Sequence, residues 1–311
     1  MKPWVRGDLL VAATLLNNPD DDHAGRGRIL QYGADLQPKG VLWTDATTHL
    51  IGGLKFDAQG VLWAFDSHAF VVLNIHPDGR IERRDFPRRA FSHVNFCDDG
   101  SMLLGEHIVG ERVAPAVQAR MKTHIANMPG TERLGDGHVF RLRADGDLVK
   151  EYATATHGGM AGFLGVTMSA LSPDAKTLVY CSETGPRLMR YDLLNDRQLP
   201  DLQSFLPPHP PGPPPMFFGM AFAPDGTLYV LRGSSIHVVD NTGTTTQQIP
   251  LTGSGWATIA MGAQGRYAFI SSFFTGEVQK IDLTSGAVLG SIQTGAVKSV
   301  AGLAEFRGGA T

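Results

Sequence analysis

Histidine is the chemically versatile residue that this sequence carries in number. The chain has 11 histidines and only 2 cysteines. Because the imidazole pKa lies close to neutrality, histidine is the usual general acid or base in proteins. Cys97 and Cys181 are far apart and lie in or beside apolar runs, which predicts two buried free thiols, with a disulfide as the alternative. Acid–base chemistry at histidine is therefore the first chemistry to look for.

Four residues form the predicted catalytic set, and each has a role. His93 or His107 would act as the general base, and Glu106, directly before His107, would orient that base. Arg232 would polarise a carbonyl group through two parallel hydrogen bonds. The structural alternatives are a hydrogen-bonded histidine at position 93 and a salt bridge at position 232.

Seven further residues are predicted to bind a substrate. They are polar or aromatic side chains in irregular segments or at strand ends: His49, Asp66, His68, His157, Glu183, Phe218 and Phe273. Each has a structural alternative, since a polar loop residue commonly caps a turn and an aromatic one commonly packs under a loop. A few polar groups on an apolar wall are typical of a site for a mid-sized organic molecule.

A short phrase recurs along the chain, and its strands must position these residues. It consists of an apolar strand, a turn rich in Asp, Pro and Gly, and a second apolar strand. The first strand of each copy ends at an anchor position, and the anchors are Phe56, Phe96, Leu171, Phe222, Met261 and Glu305. Third and fourth strands follow most of these pairs. Four short antiparallel strands in about 40 residues are typical of a propeller blade.

The repeat predicts an all-β fold, a six-bladed β-propeller in which residues 1–311 form a single domain. The last copy has only an innermost strand, while the N-terminal segment has three strands that lack one. Joining them closes the ring and removes open sheet edges. The long interval between Phe96 and Leu171 is interpreted as one blade with an insertion at 107–136. This insertion has a loosely helical apolar pattern, so we expect it to form a partly helical lid.

Strand order assigns the candidate residues to one face of the propeller. An innermost strand that enters from one face, called the top here, brings its first turn to the opposite face, the bottom. By this rule most of the histidines fall on the top, beside the long irregular segments: His23, His49, His68, His93, His107, His124, His157 and His209. Functional residues commonly lie on long loops of a rigid scaffold. The top is therefore the predicted position of the site.

Composition excludes some partners. With 27 basic and 30 acidic residues the net charge is -3, which removes the electrostatic argument for nucleic acid or an anionic membrane surface. No apolar run approaches the ~20 residues of a membrane span. The N-terminus shows no secretory signal, so a cytoplasmic protein is expected. A small-molecule substrate is the expected partner, and the oligomeric state stays open.

The repeated phrase and the six-blade closure resemble the SMP-30/gluconolactonase/LRE-like superfamily. The resemblance implies a propeller enzyme of the lactonase or esterase kind. In the calcium-dependent lactonases, acidic or Asn ligands come four residues before the anchor, and here those positions are Gly52, Ser92, Thr167, Phe218, Ala257 and Ala301. The calcium ligands of the family are thus absent, since calcium prefers carboxylate and carbonyl oxygens. No cofactor is predicted; a divalent metal held by His93, Glu106 and His107 is the alternative.

These observations lead to one expected function and two rivals. The expectation is an enzyme that hydrolyses a lactone or ester of a small organic molecule at the top of the channel by His/Glu acid–base chemistry. The first rival is a metal-independent lyase or isomerase that uses the same residues. The second is a non-catalytic ligand-binding or scaffold propeller.

Overall fold

The protein folds as 24 short β-strands in the part that the structure describes. This computed structural model describes residues 1–20, 25–45, 47, 51–107, 137–156, 165–182, 185–206 and 216–309. The first twelve strands are β1 (Leu9–Leu16), β2 (Gly25–Tyr32), β3 (Pro38–Thr44), β4 (Ile51–Phe56), β5 (Leu62–Asp66), β6 (Val71–Ile75), β7 (Ile81–Arg84), β8 (Phe91–Phe96), β9 (Met102–Glu106), β10 (Val139–Leu142), β11 (Leu148–Tyr152) and β12 (Met168–Leu171). The others are β13 (Thr177–Cys181), β14 (Arg187–Asp192), β15 (Arg197–Ser204), β16 (Met220–Phe222), β17 (Leu228–Leu231), β18 (Ser235–Val239), β19 (Thr245–Pro250), β20 (Trp256–Met261), β21 (Tyr267–Ser272), β22 (Glu277–Asp282), β23 (Val288–Gln293) and β24 (Gly302–Glu305).

These strands form six four-stranded antiparallel sheets, which are the blades of a six-bladed propeller. Blade 1 has the order β24-β1-β2-β3, and blades 2 to 6 take β4–β7, β8–β11, β12–β15, β16–β19 and β20–β23. The predicted fold class is therefore confirmed. The long interval in the repeat also holds one blade, because β10 pairs with β9 across the insertion. The body of that insertion, residues 108–136, lies outside the described residues, and so does its predicted helical lid.

The C-terminal strand closes the ring, as the incomplete last copy of the repeat predicts. β24 pairs antiparallel with β1, with Leu9 opposite Glu305 and Ala12 opposite Gly302. Aromatic rings reinforce the closure, because Trp4 meets Phe306 edge-on with the ring centroids 5.7 Å apart. The N- and C-terminal segments are thus held in one sheet, and β24 covers the edge of β1 that would otherwise be open.

The core lies between the blades. Alternate residues of a strand point to opposite sheet faces, and both faces of a blade pack on a neighbour, so the inner strands are apolar on both sides. The described residues form six buried clusters, one at each blade interface.

The turns follow local rules, as at Gly226, whose φ of +89° is the conformation that its Pro-Asp-Gly sequence favours. Both cysteines are free, Cys181 buried and Cys97 half-buried. In the described part, no helix has the length and apolar character needed to cross a membrane.

Close approach of neighbouring innermost strands gives a first prediction. A Cβ atom at Gly219 would lie only 2.7 Å from the carbonyl oxygen of Ala257 and 2.9 Å from the amide nitrogen of Ile259. Because both contacts are backbone, Gly219→Ala is expected to lower the free energy of unfolding by about 1–3 kcal/mol in urea denaturation. Ala221→Ser adds one atom at a residue that lines open space, and its effect should stay within ~0.5 kcal/mol. Equal stability of the two variants would contradict the interpretation.

Candidate functional site

The innermost strands of all six blades surround a cavity of about 580 Å³. Its lining includes the turns that follow these strands, such as Ala58, Pro173 and Pro224, so the cavity reaches the bottom face. Blades 1 to 4 contribute polar side chains, namely Lys55, Asp57, His93, Asn95, Ser169, Glu305 and Arg307. Blades 5 and 6 contribute apolar ones, namely Met220, Phe222, Ile259 and Met261. The volume and the mixed wall suit a small organic ligand.

The position of this cavity differs from the sequence-based prediction, which assigned the site to the top. The described cavity reaches the opposite face, and many of the segments that the sequence assigned to the top lie outside the described residues. His93 belongs to both the predicted and the described site. It comes early in β8, on the side that the sequence assigned to the top, and it also lines the cavity. A top-face site in the undescribed segments stays a prediction.

Lys55 lies at the centre of the polar wall. It is the next-to-last residue of β4, and its Nζ donates a hydrogen bond to Oδ1 of Asn95 on blade 3, at 3.3 Å. The Asn95 amide in turn donates to Oγ of Ser169 on blade 4, at 2.9 Å. The Asn95 Oδ1 also accepts the backbone N–H of Leu171 at 3.3 Å. One hydrogen-bonded chain across three blades therefore holds the ammonium group in position.

Lys55 is exposed to the cavity that it lines, and not to the outer surface of the ring. Protein atoms of the neighbouring blades therefore surround its side chain. Burial within the ring, followed by the repulsion from Arg307, lowers the pKa of Lys55 to about 8. Both the charged and the neutral amine are consequently populated near neutral pH. This is the property of a lysine that takes part in acid–base or carbonyl chemistry.

His93 faces the same cavity as a neutral imidazole. Burial, followed by the positive charge of Lys55, lowers the pKa of His93 to about 3. Its Nδ1 is buried and has no hydrogen-bond partner in the described part of the chain. The structural alternative for His93, a histidine satisfied by hydrogen bonds, therefore finds no support at this nitrogen. Its catalytic role stays a prediction.

Glu305 brings a carboxylate to the wall. It is 8% exposed, and Tyr267 donates its phenolic hydrogen to Oε1. Burial and this hydrogen bond raise the pKa of Tyr267 to about 12, so the phenol stays a donor at working pH. The second oxygen, Oε2, is buried without a partner among the described residues. An incompletely satisfied buried carboxylate is costly for the fold and is more typical of functional sites than of packing.

Glu106 sits in a buried ion pair. Arg89 Nε lies 2.7 Å from its Oε1, and an Arg89 Nη donates to its Oε2, also at 2.7 Å. The backbone N–H of Gly137 donates to the same Oε2 at 2.8 Å. The two charged side chains are each about 1% exposed. These contacts anchor the start of blade 3 to the end of its insertion, which gives Glu106 a structural role beside the predicted catalytic one.

His107 and Asp66 also make local contacts. His107 Nδ1 lies 3.2 Å from Oγ1 of Thr167, across the gap to blade 4. Asp66 Oδ1 accepts the backbone N–H groups of His68 and Ala69, both at 2.9 Å. Asp66 therefore caps a turn, the structural alternative that its loop position allowed. His68 is buried in that turn, with its Nδ1 3.4 Å from the Ser67 hydroxyl.

Arg232 stacks on aromatic rings. Its guanidinium carbon lies 4.4 Å from the ring centroid of Phe205 and 5.4 Å from that of Phe217. Burial lowers the pKa of Arg232. Within the described part of the chain, Arg232 forms no salt bridge and does not line the cavity described above. The faces of these rings attract the positive charge of the guanidinium. The role of Arg232 with a carbonyl group stays a prediction.

The remaining predicted residues divide between packing and undescribed positions. Phe218 packs on the cluster between blades 5 and 6, and Phe273 meets Phe274 edge-on at 5.4 Å. His49, His157 and Glu183 lie outside the described residues. The described residues contain no group of three or more histidine, cysteine or acidic side chains that could hold a metal ion. A divalent metal held by His93, Glu106 and His107 stays a prediction.

Lys55 and Glu305 were missed by the sequence reasoning, although the repeat carries a signal for both. The position of Lys55 holds Asn95 in one copy and alanine in the others, namely Ala170, Ala221, Ala260 and Ala304. Glu305 occupies an anchor position that is apolar in the other five copies. A comparison of the six copies position by position would have selected both residues.

Comparisons with known proteins support the fold. No family model matches the chain, and no curated protein matches its sequence. A solved chain of the nidogen/laminin complex matches with a TM-score of 0.62 at 11% identity, covering 98% of this chain and 100% of that one. A gluconolactonase from Xanthomonas campestris gives 0.52 at 16%, covering 87% and 85%. A virginiamycin B lyase from Staphylococcus aureus, solved with quinupristin, gives 0.53 at 12%, covering 90% and 87%. At such identities the likeness shows the propeller fold alone.

Proposed function

We propose that this protein is an enzyme that hydrolyses a lactone or ester of a small organic molecule in the central cavity. The observation that carries the proposal is Lys55, a hydrogen-bonded cation that lines the same cavity as a neutral histidine, His93. A fixed positive charge in a partly desolvated site stabilises the oxyanion that forms during attack on a carbonyl. The lactonase and the lyase among proteins of this fold make such chemistry compatible with the scaffold.

The proposed reaction divides its work between two side chains. The ammonium group of Lys55 binds the carbonyl oxygen, and water attacks the carbonyl carbon as its proton passes to His93. The new C–O bond forms, the bond to the leaving alkoxide breaks, and the protonated imidazole returns its proton to that alkoxide. The products are a carboxylic acid and an alcohol, which remain in one molecule when the substrate is a lactone.

His93 is a weak base in the resting protein, and formation of the oxyanion would weaken the smaller of the two causes. The charge of Lys55 is one of the two causes that lower the pKa of His93. When an oxyanion forms on Lys55, that charge is partly neutralised, and the pKa of His93 rises. The histidine would therefore gain basicity as the transition state forms, when proton transfer needs it. Glu305 would favour the transient imidazolium from another part of the wall.

The pH dependence of turnover tests this proposal. On a panel of lactones and esters, kcat/KM for the best substrate should fall as pH rises through about 8, because Lys55 then loses the proton that binds the oxyanion. His93, with a pKa of about 3, should not add a step between pH 5 and 7. Absence of turnover across the panel would favour the ligand-binding propeller instead.

A lyase or isomerase is the second candidate, and the same lysine favours it. With a pKa of about 8, Lys55 supplies neutral amine near neutral pH, and this amine could remove a proton next to a carbonyl group. The rate would then rise with pH and level off above about 8. The direction of the pH profile therefore separates the two reactions.

A further inference from the structure

The amine of Lys55 is held by a neutral group inside the cavity, whereas three other lysines are held by carboxylates. Lys39, Lys150 and Lys176 each pair with a carboxylate, at 2.6, 3.0 and 3.5 Å respectively. Lys55 instead donates a hydrogen bond to the neutral amide oxygen of Asn95, and within the described ranges it forms no ion pair with a carboxylate. A carboxylate partner would stabilise the ammonium form, whereas a neutral amide leaves the lone pair accessible once the proton leaves.

The surroundings of Lys55 favour covalent chemistry with a carbonyl group. The cavity is large enough for a small organic molecule, and its far wall is built from apolar side chains such as Met220, Phe222 and Met261. An alkyl chain would lie on that wall while its polar end reaches the polar side. Arg307 lines the same space, and its charge disfavours a second cation beside it.

We propose that Lys55 is a carbonyl-capture site, at which a small aliphatic aldehyde forms an imine with the lysine inside the cavity. The nitrogen lone pair attacks the aldehyde carbon and a C–N bond forms. The carbonyl oxygen leaves as water together with the two protons of the amine, so no oxidant or reductant is needed. This inference goes beyond the proposed hydrolysis, since it requires only the neutral amine and its cavity.

The neutral amine makes the expected selectivity large. At pH 7 an amine with a pKa of about 8 is ~10% neutral, whereas an ordinary lysine with a pKa near 10.4 is less than ~0.1% neutral. Per lysine, imine formation at Lys55 should therefore exceed that at an exposed lysine such as Lys176 by about 10²-fold. The apolar wall should add to this difference for aldehydes with an alkyl chain.

Reductive trapping with propanal tests the inference. The full-length protein is incubated with propanal and sodium cyanoborohydride at pH 7, and peptide mass mapping measures the initial labelling rate at each lysine. We expect a propyl group on Lys55 about 10²-fold faster than on Lys176. Lys55→Arg, which keeps the charge but forms no imine, should lose this label, and the matched Lys176→Arg should keep it.

Two outcomes would overturn the inference. Labelling of Lys55 at the rate of Lys176 or below, in protein with an unchanged circular dichroism spectrum, would show that the amine is not selectively reactive. Fast labelling that persists at another lysine in Lys55→Arg would place the reactive side chain elsewhere. Because labelling requires no turnover, either result leaves the proposed hydrolysis to be judged by its own pH profile.

Discussion

Lys55→Met is expected to lower kcat/KM for the best lactone or ester substrate by about 10²-fold or more. Methionine keeps most of the side-chain length but removes the charge that would bind the oxyanion, and loss of one such donor typically costs 10²–10³-fold. The measurement is steady-state kinetics on the substrate chosen from the panel. Lys55→Arg should retain part of the activity, since it keeps a cation at the same place.

Two matched variants make this result specific to the cavity. Lys176→Met removes an exposed lysine far along the sequence and should leave kcat/KM unchanged. Arg232→Met removes the cation that the sequence assigned to the carbonyl, which stacks on Phe205 instead. If Lys55→Met keeps full activity while Arg232→Met loses it, the site belongs to the top face and the cavity proposal is wrong.

Arg89→Met is expected to lower the free energy of unfolding by about 3–5 kcal/mol. It leaves the buried carboxylate of Glu106 without the guanidinium that now binds both of its oxygens. Removing one partner of a buried pair is costly because the other charge stays desolvated. Urea denaturation measures the change. Arg143→Met, which removes an exposed partner 3.9 Å from Asp147, is the control and should cost at most about 1 kcal/mol.

The double variant Arg89→Met/Glu106→Leu separates the ion pair from catalysis. Replacing both charges by apolar side chains should recover much of the lost stability, because no unpaired charge is left inside. If this stable double variant keeps its activity, Glu106 acts only in the fold. If Arg89→Met is as stable as the Arg143 control, the buried pair does not have the structural role assigned to it.

The blades could be predicted because their determinants are local. Alternating apolar residues define each strand, and Asp, Pro and Gly in the turns set the backbone angles that join strand to strand. Closure of the ring could be predicted from the number of strands in each copy, because the last copy has one strand and the first segment has three. In the structure β24 pairs with β1 and completes that blade. The insertion within blade 3 did not obscure this pattern, because β10 and β11 resume it.

The site was harder to predict, as Glu106 and His107 illustrate. They are neighbours in sequence, so sequence reasoning joined them in one mechanism. Successive residues of an extended chain point to opposite sides, and in the structure Glu106 binds Arg89 whereas His107 contacts Thr167. Adjacency along a strand thus separates side chains rather than bringing them together.

The number of blades, their order and the strand that closes the ring follow from local periodicity and turn chemistry, which can be read along the chain. Which polar residues meet depends instead on how the blades pack around the ring. Lys55, Asn95 and Ser169 belong to three different blades and become one hydrogen-bonded chain only when the ring brings their innermost strands around a common axis. The pKa values of Lys55 and His93 depend on the same event, since burial and charge repulsion act through space and not along the chain.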